Sequence, residues 1–534
     1  MPGPQLRRQE KIVRRPFGGL DHSVSTEELE ATQQSVAEEV KFERGYVTKL
    51  DGRVAVGDSV TTPLNGKILK LYVFEKLDGQ QRLLAFTRDK IYTWAKGATS
   101  WTDITGTVVF NANSWSVVTY INKVYFTTDG PEDIYYWDIG DSTCTALAAG
   151  YTGKVLAVFG ERLHILNTYE SATWNRQRDR WSNLGLTTFS VNSFNDLVSF
   201  MGDDGIEHAE LLASSLVAYG GNTILEISYT GATTVPFAYR LCSVGCGLTA
   251  PRGFVNLRDS HAFLSGDGVK IFDLSLVPKA IDQKVNEWLF ENMNLDYIDR
   301  CVLGKSDKLT SLVLYFPENG ETDPSHFLRL NLSTGVWTEG SRGATAACPG
   351  SVTGRLAIDE LDGTLDQLSG NINFQGAPGT GQALYVGDEN GSVFSEFDGI
   401  DIEGTGAVVL DYQTKDFCFD DEAGAAWMGL EFEARGDYVA VDYSLDQGRT
   451  WHDLSSAGEI DDIVGTIDAQ TVTIDGLTTQ QDLTAEWLRY RMDFEGVSKT
   501  CRFRFQNSGP NSLLQLRWLR IYVLRTSAVG TLPT

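Results

Sequence analysis

Six times between residues 65 and 400 the chain repeats one pattern: an apolar strand, a tight turn of Gly, Asp, Asn or Ser, and a returning strand, often aromatic-rich. Residues 83–86 turn at Asp89 and return as 91–94. Residues 123–126 turn through Asp129 and Gly130 and return as 134–137. Residues 216–219 turn at Gly220, Gly221 and Asn222 and return as 223–227. Residues 261–264 turn at Gly266, Asp267 and Gly268 and return as 269–272. Residues 327–330 turn at Ser333, Thr334 and Gly335 and return as 336–337, and residues 383–386 turn over 388–391 and return as 392–394. Turn chemistry and strand composition make each a β-hairpin. A lone hairpin cannot bury its face, so a series must stack, which predicts a β-propeller. The turn centres fall roughly 30 to 65 residues apart, an irregular spacing that fits a divergent propeller with insertions better than a recent repeat array.

The 534 residues are 42% hydrophobic and 11% aromatic, with 53 glycines against 14 prolines, a balance suited to a turn-dense β protein. No run reaches the ~18 apolar residues of a membrane helix, and no apolar stretch follows the N-terminal basic residues as in a signal peptide. The expectation is a soluble protein made in the cytoplasm. Seven cysteines, at 144, 242, 246, 301, 348, 418 and 501, are scattered singly without zinc-ligand neighbours and read as small buried residues. The net charge of −26 opposes tight wrapping by nucleic acid, which needs cations on the phosphates, yet it would let a polyanion slide past; it also simply keeps a large protein soluble.

Four regions follow. Residues 1–58 comprise a basic arm (Arg7, Arg8, Lys11, Arg14, Arg15), a short acidic helix over 25–42 capped by Ser25 or Thr26, and a strand pair over 40–49 turning near Gly45. The arm is either a solvated tail or a segment that orders on an acidic partner. Residues 59–404 are the propeller, interrupted by a helix over 281–290 whose Ile281, Val285, Trp288 and Leu289 share a face. Residues 405–527 show long period-two strands (429–434, 438–443, 502–505, 516–523) and read as a separate antiparallel β-sandwich, followed by a flexible tail over 528–534.

The sharpest local motif is Ser444, Asp446, Gly448, Thr450 and Trp451 in the pattern S-x-D-x-G-x-T-W, which resembles the Asp-box of sialidases. Physically it is a hairpin turn: the Asp accepts loop N–H groups, the Gly permits the backbone and the Trp packs beneath. One copy, outside the blades, favours a structural role over glycoside hydrolysis. The chain has no G-x-S-x-G and no H-E-x-x-H, and none of its six histidines is paired at ligand spacing. Residues 376–381 mimic the start of a phosphate loop but continue into a strand without the Lys, so they read as a linker. Asp203-Asp204-Gly205 and Asp388-Glu389-Asn390-Gly391 are single tight turns, short of a calcium ligand set. No cofactor, metal or catalytic residue is assigned.

Three stretches, taken in order, resemble the tail nozzle (tail tubular) proteins of short-tailed bacteriophages. The first is Gly18-Gly19-Leu20 followed by Val40, Phe42, Gly45, Val47 and Lys49, in a family pattern that commonly has Asn where this chain has Glu39. The second runs from Val158 through Arg162, Leu163, His164 and Asn167 to Arg180-Trp181-Ser182. The third pairs 202–207 with Gly266-Asp267-Gly268-Val269. The resemblance implies a non-enzymatic virion structural protein: a propeller with added β domains, assembled as a ring, usually a hexamer, at the tail, next to adaptor, portal and tail fibres. Its lumen would conduct double-stranded DNA during ejection and retain it beforehand. Six copies would carry about −156, limiting DNA adhesion, and the Arg7–Arg15 arm would dock on an acidic adaptor or portal surface. The alternative expectation is a sialidase-like propeller that binds or cleaves host-surface glycans.

Overall fold

The computed structural model describes residues 9–14, 18–30, 32–43, 45–232, 235–275, 277–350, 352, 383–404, 406–418, 425–436, 439–454, 473–474, 477–478, 487–509, 512 and 514–525. The chain is mainly β. Among the described residues, seven units of four antiparallel strands follow one another along the chain, six as separate sheets and unit six as part of a larger one. Unit one holds Lys70–Glu75, Gln81–Phe86, Ile91–Trp94 and Thr102–Asp103. Unit two holds Trp115–Tyr120, Lys123–Thr128, Tyr135–Trp137 and Thr145–Ala146. Unit three holds Thr152–Phe159, Arg162–Glu170, Thr173–Trp181 and Phe194–Asp196. Unit four holds His208–Leu212, Ser215–Tyr219, Thr223–Tyr229 and Phe237–Val244. Unit five holds Phe254–Asn256, His261–Ser265, Gly268–Phe272 and Lys279–Ala280. Unit six holds Val302–Ser306, Ser311–Phe316, His326–Asn331 and Val336–Gly340. Unit seven takes Ala346–Gly350, Ala383–Gly387 and Val393–Glu396 from late in the chain, and its fourth strand, Arg53–Ala55, from the N-terminal region.

All six hairpins expected from the sequence are present. The second strands of units four and six, Ser215–Tyr219 and Ser311–Phe316, are buried along their whole length because neighbours cover both faces. Each junction between units is an apolar cluster. Phe86 meets Phe126 at 5.5 Å between units one and two, and Tyr125 packs with Leu163 between two and three. Phe159 meets Phe237 at 5.6 Å, and Tyr219 meets Phe263 at 5.3 Å. Leu264 packs with Leu314, Phe327 with Phe394, and Tyr385 of unit seven with Leu71 of unit one. The succession thus returns to its start.

Unit six does not end at its fourth strand. Its sheet continues through Gly19–Leu20 and Gln33–Glu38 to Leu410–Thr414, Thr500–Asn507 and Ala440–Ser444. A second sheet joins Val40–Glu43 and Tyr46–Lys49 to Leu514–Arg525, Ala425–Gly436 and Leu488–Ser498. The two sheets face each other, with Phe432 edge-on to Phe505 at 5.3 Å. The C-terminal strands are therefore not separate: N-terminal strands belong to both sheets.

Several expectations change. The acidic helix over 25–42 is one turn, closed by the Glu28 and Leu29 N–H groups on the Ser25 carbonyl, and then the strand Gln33–Glu38, parallel to Gly19–Leu20. Pairing on both edges outweighs the helix propensity of Glu and Ala. The unstructured arm is replaced over Gln9–Arg14 by a strand antiparallel to Leu514–Arg525. The helix over 281–290 spans only Asn286–Asn292, with Val285 and Leu289 in the core. Six cysteines are buried as expected, but Cys418 is exposed. The expected linker at 376–381 and tail at 528–534 lie outside the described residues.

Candidate functional site

The Asp-box closes the hairpin between Ala440–Ser444 and His452–Asp453. Asp446 accepts hydrogen bonds from the Ser444 hydroxyl (2.8 Å), the Thr450 N–H (2.8 Å) and the Thr450 hydroxyl (2.7 Å). These donors hold its carboxyl down at about 2. Gly448 has φ +85°, and a Cβ there would stand 2.9 Å from Arg502 Nη1. Arg504 lies 5.6 Å over the Trp451 ring. Arg502 in turn forms a two-point pair with the buried Asp416, which also accepts from Thr26. The Ser444 and Thr450 hydroxyls and the Asp446 carboxylate of the box thus work inside the fold. The other acidic turns are equally committed. Asp204 accepts from the N–H groups of Gly221 and Asn222 and from the Thr223 hydroxyl, and Asp388 accepts from the N–H groups of Asn390 and Ser392. Among the described residues no cluster of His, Cys, Asp or Glu is placed to hold a metal ion.

Of the arm, Lys11 stands opposite Tyr522 and Arg14 opposite Leu519, whereas Arg7, Arg8 and Arg15 lie outside the described residues. The outward side of that second sheet is built of arginines on aromatic rings. Arg435 and Arg517 lie over Trp487 at 5.1 and 5.6 Å, Arg489 and Arg520 over Trp518 at 5.5 and 4.9 Å, and Arg491 over Tyr522 at 4.8 Å. Glu431 accepts from Arg520 (2.8 Å) and Tyr522 (2.6 Å), and Glu433 from the Trp518 indole (2.7 Å), pinning the array. Period-two alternation could have revealed most of this face in the sequence, since Arg489 and Arg491 alternate on one strand and Trp518, Arg520 and Tyr522 on another, with Arg517 at a register shift opposite Glu433 and Ala434.

A concavity that sequence reading missed has walls that come from loops far apart in the chain. A cavity of about 960 Å3 opens where the first strands of units one, two, five and six begin. Its apolar part is Leu69, Phe110 and Ala112, all nearly buried. Its cations are Lys67, Arg88, Arg252 and Arg300, set against Asp89 and Asp299. Lys67 and Arg300 share Asp323. Arg88 donates Nε–H to Asn111 Oδ1 (2.7 Å), and Arg252 donates Nη1–H to the Thr345 carbonyl (2.9 Å). Burial holds Arg252 below the ordinary arginine range, against the pull of Asp299 and Asp323.

No protein-family model matches the chain, and no curated protein matches it in sequence. Solved structures align at low identity. They include the computationally designed protein Ika8 (12% identical, TM-score 0.33, 68% of this chain and 96% of that one). Another is PorZ, a bacterial surface component of the type-IX secretion system of Porphyromonas gingivalis (12%, TM-score 0.35, 77% and 47%). A third is the β-propeller domain of Cps50 (Swd1) from Myceliophteria thermophila (10%, TM-score 0.33, 62% and 99%). The chain spans about half of PorZ.

Proposed function

We propose that this chain is a structural protein of a short-tailed bacteriophage tail, a nozzle whose copies form a ring, usually of six, around a passage for double-stranded DNA. In this reading the seven units are the blades of one β-propeller and the two facing sheets form a β-sandwich fused to it. The observation that carries the reading is where the family-like residues fall. Asn167 takes φ +55° and ties its amide to the Ile206 carbonyl, joining the second stretch to the third. Arg162 and Leu163 bond to Ser182 within the second stretch. Glu39, where the family pattern commonly has Asn, takes φ +53°, a conformation Asn tolerates best among non-glycine residues. The resemblance therefore lies on positions that backbone geometry constrains, which supports a shared scaffold over a chance match.

The mechanism is geometric and electrostatic. A chain of charge −26 repels passing DNA, while the arginine–aromatic face of the second sheet, beside Lys11 and Arg14, offers an acidic adaptor or portal surface a place to dock. Assembly would occur in the host cytoplasm and the product reside in the virion tail, near the fibres. Native mass measurement and negative-stain imaging of the purified chain test this. A closed ring with a central hole is expected; a chain that remains monomeric and turns over a sialoside would establish the glycan-cleaving alternative instead.

A further inference from the structure

The cavity at the strand-entry end of the units has the makings of a ligand site that the conduit role does not use. Its size lies at the upper end of the roughly 300–1,000 Å3 typical of small-molecule sites. Among the described residues, Arg88 and Arg252 have no carboxylate within ion-pair distance, although the chain as a whole is strongly acidic. Arg252 is half-buried and satisfied at one nitrogen by a neutral carbonyl. Asp299 and Asp323 pull on it from beyond ion-pair distance, so no carboxylate bonds to its remaining N–H groups among the described residues, and an anion in the cavity would complete it.

The rest of the lining narrows the anion. Asp89 and Asp299 cap the positive potential, and Lys67 and Arg300 already share Asp323, so a polyphosphate would meet too few cations and two like charges. One carboxylate suits the two remaining arginines. Asn65 already donates to Asp89 (3.2 Å) and Asn111 accepts from Arg88 (2.7 Å), which leaves the Asn65 amide oxygen and the Asn111 amide N–H groups to meet hydroxyls, and Phe110 lines the apolar side. We infer that this cavity binds a sugar acid: a hydroxylated ring bearing a single carboxylate, held by Arg88 and Arg252. The source could be a free monosaccharide or the terminal residue of a glycan; both present the same chemistry.

Isothermal titration of the full chain with N-acetylneuraminic acid, galacturonic acid and 3′-sialyllactose tests this, with galactose and inorganic phosphate as controls. Saturable binding of at least one acid is expected, with galactose and phosphate at least tenfold weaker. Loss of a charge-assisted bond should weaken it about 10- to 100-fold in Arg252→Gln. Because a substitution at a half-buried position can disturb folding, Arg88→Ala, at an exposed position, should weaken it as well while leaving the melting curve unchanged. Tighter binding of the trisaccharide would identify a glycan terminus, and tighter binding of the free acid a monosaccharide. The inference is overturned if no acid binds at millimolar concentration, if galactose or phosphate binds as well, or if neither variant weakens binding. It does not rest on the ring: a ring-forming chain that binds no sugar acid removes this inference alone, and a monomer that binds one removes only the conduit.

Discussion

Glu396 sits where three parts of the chain meet. Its carboxylate ion-pairs with Arg53 at 2.5 Å and with Arg342 at 3.1 Å, and Arg342 makes a two-point contact with Glu39 at 2.9 and 2.6 Å. The Glu396 side chain is 0% exposed, and its partners are nearly as enclosed. In such surroundings desolvation offsets much of the attraction within the network, whereas removing one member strands buried cations. Glu396→Ala should therefore destabilise the chain by about 3–5 kcal/mol. The pair Arg491–Asp493, with side chains 56% and 67% exposed, is the contrast: Asp493→Ala should cost under about 1 kcal/mol. Denaturant midpoints of the two variants decide the matter. Equal losses would mean that burial does not set the value of these contacts. Replacing Arg53 and Glu396 together by Met and Leu should recover most of what Glu396→Ala loses.

At the scale of elements, the strand Gln33–Glu38 enters the large sheet beside Val336–Gly340 and brings Glu38 level with Glu339. Burial pushes the Glu339 carboxyl up to about 8, with Glu38 and Asp411 acting in the same sense, and Glu38 is raised as well. The folded state then keeps a proton on Glu339 that the unfolded chain gives up near pH 4.5. Stability from this group falls as pH rises between those two values and levels off above the upper one. Glu339→Gln removes the dependence. Its melting temperature should gain on the parent's by a few degrees between pH 5 and pH 9, and a difference constant across that range would show that the carboxyl titrates normally. The same region shows what a sequence reveals and what it hides. Hairpins with Gly, Asn or Asp at the turn were legible. Unit three was harder to read, because its second turn uses Ser171 and Ala172 at φ of +49° and +60°, residues that do not advertise a turn. The Asp-box was legible because its Ser, Asp, Gly and Thr satisfy one another within eight residues. The cavity was hidden because Arg88 and Arg252 are 164 positions apart and only closure of the units brings them to one mouth. The strand over 33–38 reads as helix because, apart from the two-residue strand Gly19–Leu20, its partners lie some 300 to 380 residues away.

Across the whole molecule, the region that reads as an arm and leader is the fastener. Arg53–Ala55 supplies the outer strand of unit seven, whose first strand lies against that of unit one. Gly19–Leu20 and Gln33–Glu38 bridge unit six to the C-terminal strands, and Val40–Lys49 extends the second sheet. Leu20, Ala37, Val40, Val47 and Leu50 are buried at 0–1% exposure, so this segment contributes to the core and does not merely decorate it. Strands on the two sides of residue 58 pair with each other: without 1–58, Val393–Glu396, Val336–Gly340 and Leu410–Thr414 each expose an unpaired edge above an opened core. A 59–534 fragment should therefore aggregate or lose its cooperative melt, and limited proteolysis should cut it far faster than the full chain. Adding a 9–58 peptide should restore protection, since the missing strands need only pair, as the chain's own ends do. A fragment that melts cooperatively within a few degrees of the full chain would show that the units hold together without their N-terminal fastener.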